Sequence, residues 1–162
     1  MSDSAIVDRS NPVKRLVRYG PLLIWLGFIF FVSTSGFSAD NTSRFIGPIL
    51  RWLFPSYSEA ELRWLHFLVR KAGHFLEYAV LAFLARRAFV TSSRLFIHGW
   101  WFGLGLLLVV LYSLFDEWHQ SFVPTRTGSI YDSLIDIAGG LTVLLICWFY
   151  DRYRRRDVAV IA

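Results

Sequence analysis

The sequence predicts an all-α integral membrane protein with four transmembrane helices in a small bundle. The composition is the first reason, because 55% of the 162 residues are hydrophobic, 18% are aromatic and the mean hydropathy is +0.45. A soluble domain of this size has too little interior to bury so much apolar surface. The second reason is that the apolar residues fall in four long segments separated by short polar connections. We therefore expect lipid to surround most of the chain.

The first transmembrane helix is predicted at residues 20–37, GPLLIWLGFIFFVSTSGF, after a basic N-terminal segment at 1–19. Pro21 is expected in the opening turn, where its missing N–H costs least. A cleaved signal peptide is not expected, because the cleavage context FSA places the bulky Phe37 where a small residue is needed.

Residues 41–57 combine large apolar side chains with Arg44 and Arg51. Pro48 and Pro55 are expected to break this segment, which is too short to cross a bilayer. Such a mixture of apolar and cationic side chains is typical of a segment that lies in the membrane interface. We predict an extracytoplasmic interfacial amphipathic segment between the first and second transmembrane helices.

Three further transmembrane helices are predicted from the rest of the chain. The sequence SEAE at 58–61 has the form of a capping box, so a short helix is expected to begin there. The second, third and fourth transmembrane helices are predicted at about 71–89, 97–115 and 131–150. The predicted organisation is therefore a basic segment at 1–19, a transmembrane domain at 20–150 and a basic tail at 151–162.

The distribution of Lys and Arg predicts that both termini are cytoplasmic. With four crossings, eleven of the 17 cations lie on the side of the termini and six lie on the other side. Cytoplasmic connections carry an excess of cations, so this asymmetry sets the orientation. The eleven are Arg9, Lys14, Arg15, Arg18, Arg86, Arg87, Arg94, Arg152, Arg154, Arg155 and Arg156, and the six are Arg44, Arg51, Arg63, Arg70, Lys71 and Arg126.

The polar residues of the predicted transmembrane helices gather toward the extracytoplasmic side. Glu77 lies nine residues before Arg86, or roughly 13 Å along a helix, near the middle of the hydrocarbon layer. A charge facing lipid there costs roughly 2.5–3.5 kcal/mol, so Glu77 and Asp136 are expected to face the bundle interior. The residues expected to share one cleft are His74, Glu77, Asp116, Glu117, His119, Gln120, Asp132 and Asp136.

Two segments, RKAGHFLEYAVLAFL at 70–84 and DEWHQSFVPTRTGSIYDSLIDIAGG at 116–140, resemble the signature segments of the VanZ-like membrane proteins. Those signatures read roughly K-x-x-H-F-x-x-Y, D-E-x-H-Q-x-F-x-P-x-R and D-x-x-x-D/N-x-x-G. Asp136 stands where many members carry Asn. The resemblance implies a four-span protein of the bacterial cytoplasmic membrane, from a family implicated in teicoplanin resistance. It marks Lys71, His74, Tyr78, Asp116, Glu117, His119, Gln120, Arg126, Asp132 and Asp136.

These residues favour a site that binds or acts on an envelope lipid head group, a lipid-linked cell-wall precursor or a membrane-inserted glycopeptide. The guanidinium of Arg126 matches carboxylate or phosphate oxygens. A His three residues after an Asp is suited to acid–base chemistry. The candidate catalytic residues are Asp116, His119, Glu77 and Asp136. The candidate ligand-binding residues are Lys71, His74, Tyr78, Glu117, Gln120, Arg126 and Asp132.

Two other functions stay open. Helical bundles bind metals through carboxylate and His side chains three residues apart, so an alternative metal site comprises His74, Glu77, Asp116 and His119. The other alternative is a non-catalytic scaffold or sensor held together by buried ion pairs. No resident cofactor is predicted. The expected partner is the lipid bilayer, oligomerisation stays open, and nucleic acid is not expected because the cations lie beside apolar segments.

We expect a cysteine placed at Ser129, in a background without Cys147, to react with an impermeant maleimide added outside intact cells. A cysteine at Ser92 should stay unlabelled until the membrane is permeabilised, because that turn is predicted to be cytoplasmic. The reverse pattern would invert the orientation and move the polar cleft to the cytoplasmic side.

Overall fold

A computed structural model describes residues 12–34, 36, 38–126 and 128–161. In these residues the backbone forms six helices and no strand, so the predicted all-α class is confirmed. The helices are α1 (Pro12–Val32), α2 (Ala39–Leu53), α3 (Glu59–Val90), α4 (Leu95–Gly99), α5 (Trp101–Gln120) and α6 (Ile130–Ile161).

Among the described residues, three helical segments are long and apolar enough to cross a membrane: α1, α5 and the Ile130–Arg154 part of α6. A helical membrane protein is therefore supported, but with three such segments where the sequence predicted four. The helix that falls short is α3. Its apolar section is interrupted by Glu77 and bounded by the cations Lys71 and Arg86, which lower its hydropathy.

α3 is the central helix of the bundle, since it packs against α1, α2, α5 and α6. Its buried face carries Tyr78 and Leu81 together with four alanines, Ala79, Ala82, Ala85 and Ala88. Small side chains let neighbouring helices approach closely in a membrane bundle. The helix with charges in its apolar section therefore packs against most of the other helices, although one apolar face of it stays exposed.

α3 and α6 run in the same direction and are joined by ion pairs at two levels. Lys71 pairs with Asp132 near the beginning of α6. Nη2 of Arg86 lies 2.6 Å from Oδ1 of Asp151 farther along both helices. The apolar section of α3 therefore lies beside that of α6 between these two pairs.

α1 runs antiparallel to α3. The hydroxyl of Tyr19 donates to Oγ of Ser92 at 3.1 Å, and Nε1 of Trp25 donates to the carbonyl of Glu77 at 2.9 Å. α5 runs antiparallel to α6. The C-terminal ends of α1 and α5 consequently lie at the same end of the bundle as the N-terminal end of α6.

Two prolines lie inside helices, where the sequence analysis expected a helix start and a break. Pro21 is in the middle of α1, because this helix extends from Pro12 and not from residue 20. The proline leaves the carbonyl of Val17 without its helical donor, and Nη1 of Arg87 donates to that carbonyl at 3.3 Å. Pro48 is likewise inside α2, which continues past it.

The capping box is confirmed, but the helix that follows it is long. The backbone N–H of Glu61 donates to Oγ of Ser58 at 3.3 Å, and α3 then continues without a break to Val90. The third predicted helix begins only at Trp101, after the separate α4. α6 continues through the predicted tail, so the expected boundaries at 20 and 151 both fall inside helices.

α6 approaches α3 and α5 closely at two adjacent glycines. A Cβ on Gly139 would collide with the backbone of Phe75, 3.0 Å from its Cα. A Cβ on Gly140 would lie 2.6 Å from Cγ1 of Val109. A backbone contact cannot be relieved by side-chain rotation, so Gly139 fixes the distance between α3 and α6.

We expect Gly139→Ala to lower the free energy of unfolding by about 1–3 kcal/mol, because overpacking pushes the two backbones apart. Gly27→Ala in α1 is the matched control, since no neighbouring atom outside its own helical turn lies within 4 Å of the Cβ position. There, alanine should be neutral or stabilising by up to about 1 kcal/mol. Thermal unfolding in one detergent measures both changes, and equal midpoints for the two variants would contradict the close approach.

Candidate functional site

One polar network, the α1–α5 network, joins the C-terminal ends of α1 and α5 and consists of Ser33, Asp116, Gln120 and Arg126. Asp116 is 3% exposed, and its Oδ1 accepts a hydrogen bond from Oγ of Ser33. Nε2 of Gln120 donates to Oδ2 of the same carboxylate at 3.0 Å. Both oxygens of Asp116 are therefore occupied inside the protein.

Arg126 completes this network from the loop between α5 and α6. Its Nη1 donates to Oε1 of Gln120 at 3.4 Å, and its Nη2 donates to the carbonyls of Val32 and, at 3.3 Å, Thr34. The last carbonyls of a helix lack helical donors and carry partial negative charge. A buried guanidinium is therefore stabilised at the end of α1.

A second cluster, the acidic triad, consists of His74 from α3, Glu117 from α5 and Asp136 from α6. Nδ1 of His74 lies 3.3 Å from Oδ1 of Asp136, at ion-pair distance but without hydrogen-bond geometry. One ligand-capable atom from each residue lies within 4.8 Å of the other two. Oε2 of Glu117 accepts the backbone N–H of Ser129 at 2.7 Å, which fixes that carboxylate beside the beginning of α6.

A cavity of about 320 Å³ lies between α1, α2 and α3 at the same end of the bundle. Buried donor atoms of two arginines on its wall, Nη1 of Arg70 and Nε of Arg126, have no hydrogen-bond partner among the described residues. Burial and the charge of Arg70 lower the pKa of Arg126, although arginine stays protonated. The cavity residues are Phe28, Val32, Ser33, Thr42, Ile46, Arg70, Gly73, His74, Glu77 and Arg126.

Comparison with known proteins identifies the family. The model of the VanZ/LLP1 family matches residues 19–151, which include the α1–α5 network, the acidic triad and the cavity. The chain belongs to the VanZ/LLP1 family. The resemblance carried by the two signature segments is thereby confirmed, and with it the association of the family with teicoplanin resistance. Comparisons with curated proteins and with solved structures give no significant match.

The structure of this VanZ/LLP1 member brings most of the sequence-marked residues to one end of the bundle, but in other combinations than spacing indicated. The proposed acid–base pair is not formed, because Asp116 bonds to Ser33 and Gln120. The ring of His119 instead packs on Phe30, with ring centroids 4.6 Å apart. Helical spacing places two residues on one face of a helix, but it does not identify the neighbour on that face.

Four further marked residues lie around the site. Lys71 and Asp132 form a half-buried ion pair between α3 and α6. Tyr78 is fully buried in the core, and its hydroxyl has no hydrogen-bond partner in the described part of the chain. Glu77 lies on the cavity wall, as expected for a carboxylate that avoids lipid.

The sequence analysis did not assign Ser33 or Arg70 to the site. Ser33 follows the last residue of an apolar helix, and nothing in its spacing indicates a contact with residue 116. Arg70 was counted only as an extracytoplasmic cation, although it directly precedes the Lys71 signature position. Its place one turn before His74 is the signal that could have indicated it.

A larger cavity, of about 770 Å³, lies at the opposite end of the bundle between α1 and the turn that follows α3. Arg18, Arg94, Ser92 and Ser93 are among the residues that line it. None of the sequence-marked residues lies there, so its size does not make it the candidate site.

We expect Ser33 and Asp116 to be energetically coupled. Hydrogen bonds to a charged group contribute about 1.5–3 kcal/mol, so a double-mutant cycle of Ser33→Ala and Asp116→Ala should give a coupling energy in that range. Thr34→Ala is the matched control, since the Thr34 hydroxyl donates to the carbonyl of Phe31 and not to Asp116. Unfolding free energies measure the cycle, and a coupling energy indistinguishable from the Thr34 control would contradict the network.

Proposed function

We propose that this VanZ/LLP1 protein crosses the bacterial cytoplasmic membrane four times and binds the phosphate-bearing head group of a membrane amphiphile in the cavity between α1, α2 and α3. Both termini are proposed to be cytoplasmic, which places the cavity in the outer leaflet. Its ligands would be a lipid head group, a lipid-linked cell-wall precursor or a membrane-inserted glycopeptide.

The fourth crossing is proposed for α3 because of its neighbours. Ion pairs to Asp132 and Asp151 hold α3 beside the section of α6 that is apolar enough to span. A helix parallel to a spanning helix between those levels crosses the same layer. Its neighbours shield Glu77 from lipid, so α3 does not need the hydropathy that a lipid-facing helix needs.

α2 is proposed to lie along the outer membrane surface. Phe45, Ile49 and Trp52 are 76%, 56% and 80% exposed, which is unfavourable in water. Arg51 is also exposed and pairs with Glu59 at 2.9 Å, so charged groups accompany these apolar side chains. Such a helix buries its apolar face at the boundary between head groups and acyl chains. Because α2 also contributes Thr42 and Ile46 to the cavity wall, it lies where a membrane ligand would enter.

The observation that carries the proposed ligand class is the pair of cavity arginines with unpartnered buried donors. Buried polar atoms are nearly always hydrogen-bonded, so an unpartnered donor at a cavity indicates a ligand acceptor. Two guanidinium groups against the single carboxylate of Glu77 leave the wall cationic, which favours a phosphate. A volume of about 320 Å³ admits a head group but only part of a glycopeptide.

Binding is proposed ahead of turnover. The predicted acid–base residues Asp116 and His119 do not line the cavity, and Asp116 is occupied by its own network. His74 and Glu77 are the titratable residues on the wall that could exchange a proton with a ligand. The scaffold alternative is favoured by one observation, the α1–α5 network, which holds two helix ends together without a ligand.

We expect purified protein in phosphatidylcholine nanodiscs to bind a polyprenyl phosphate at least tenfold more tightly than the polyprenol of the same length. Arg70→Gln should weaken binding of the phosphate at least tenfold and leave binding of the alcohol unchanged. Arg63→Gln on the same helix is the matched control, since Arg63 is exposed and does not line the cavity. Binding is measured by fluorescence, and teicoplanin is titrated in a separate experiment to distinguish a glycopeptide ligand from a lipid phosphate.

The head-group proposal fails if the phosphate and the alcohol bind equally, or if Arg70→Gln and Arg63→Gln have the same effect. Binding of teicoplanin with no binding of the polyprenyl phosphate would overturn the head-group proposal and identify the glycopeptide as the ligand. Arg126→Gln is a weaker probe than Arg70→Gln, because Arg126 also binds the carbonyls at the end of α1.

A further inference from the structure

The acidic triad combines three metal-binding side chains from three different helices. An imidazole nitrogen of His74 and carboxylate oxygens of Glu117 and Asp136 lie within 4.8 Å of one another. α3, α5 and α6 therefore converge on one point, and the point lies inside the bundle because Glu117 is 6% and Asp136 0% exposed.

Four polar atoms of the triad are available to a ligand, because the 3.3 Å contact between His74 and Asp136 lacks hydrogen-bond geometry. Both oxygens of Asp136, Oε1 of Glu117 and Nδ1 of His74 are buried without a hydrogen-bond partner among the described residues. Lys71, one turn before His74, is already paired with Asp132 and does not neutralise the triad. In the described part of the chain Asp136 has no hydrogen-bond donor and Glu117 has only the N–H of Ser129, so these buried carboxylates leave a negative charge that a dication would balance.

We propose that the acidic triad binds one divalent transition-metal ion through Nδ1 of His74 and one oxygen each from Glu117 and Asp136. One nitrogen and two oxygens form a donor set suited to Zn²⁺ or Mn²⁺. Zn²⁺ bonds to such atoms are about 2.0–2.2 Å long. The two ligand atoms that lie farthest apart in the triad would therefore need to approach each other by roughly 1 Å, through side-chain rotation. The residues differ from the metal alternative drawn from sequence spacing and share only His74 with it.

The surroundings of the triad support a positioned ligand set. The N–H of Ser129 holds Oε2 of Glu117 and leaves Oε1 free for the metal, as an outer-shell donor does in metal sites. Gly139, one turn after Asp136, fixes α6 against α3 and thereby sets the distance from Asp136 to His74. His74 also lines the cavity, so the metal would lie at the cavity wall with coordination positions left open.

The experiment uses full-length protein in nanodiscs, treated with a chelator, dialysed, and titrated with ZnCl₂ or MnCl₂ by calorimetry. One saturable site per chain is expected. His74→Ala, Glu117→Gln and Asp136→Asn should each weaken binding at least tenfold. His119→Ala and His98→Ala are the matched controls, because neither residue belongs to the triad, and both should bind as wild type does.

X-ray absorption at the metal edge of the wild-type complex keeps the test decisive if a variant does not fold. The spectrum is expected to show one imidazole nitrogen bound to the metal. The proposal is overturned if the folded wild-type protein binds neither ion saturably, or if binding depends on His119 and not on His74. Arg70→Gln should retain the metal, so failure of head-group binding and failure of metal binding are distinguishable.

Discussion

The arrangement of this bundle depends on a carboxylate that is buried without a hydrogen-bond donor. Asp136 is fully enclosed at the junction of α3, α5 and α6, and its Oδ1 lies 3.3 Å from Nδ1 of His74. Desolvating an ion costs several kcal/mol unless it is paired, liganded or protonated. Pairing with a protonated His74, a proton on Asp136 itself or the proposed metal ion would each offset that cost.

The same constraint explains why the helix that carries Glu77 and His74 is the central one. Glu77 and His74 lie on α3, and the helices packed against it replace part of the lipid that a lone helix would meet. Close approach at Gly139 then brings the polar segments of α3 and α6 together, and Ser33 and Arg126 of the α1–α5 network lie on the cavity wall. The cationic cavity and the acidic triad are adjacent as a result, with His74 on the wall of both.

The sequence was sufficient for the all-helical class, the capping box at Ser58, the family and the gathering of polar residues at one end. It was insufficient for partners across helices. A spacing of three residues, as between Asp116 and His119, occurs both in catalytic pairs and in side chains that contact different neighbours. Here the two side chains contact different neighbours. Pro21 was misplaced because its cost is offset by Arg87, a residue 66 positions away whose hydrogen bond to Val17 no local pattern shows. The charged residues in the apolar section of α3 are tolerated because other helices pack against it, and such packing is a tertiary property that the sequence pattern does not show.

The most direct test of a preformed ligand site is the stability of Asp136→Asn in metal-free protein. Residues kept for ligand binding often cost stability, so removing the buried charge should leave the free energy of unfolding unchanged or raise it. Chemical unfolding with chelator present measures it, and Asp136→Leu, which cannot donate or accept a hydrogen bond, should behave in the same way. A loss of about 3–5 kcal/mol in Asp136→Asn, the magnitude expected when a buried ion pair is broken, would show that the triad is a structural clasp.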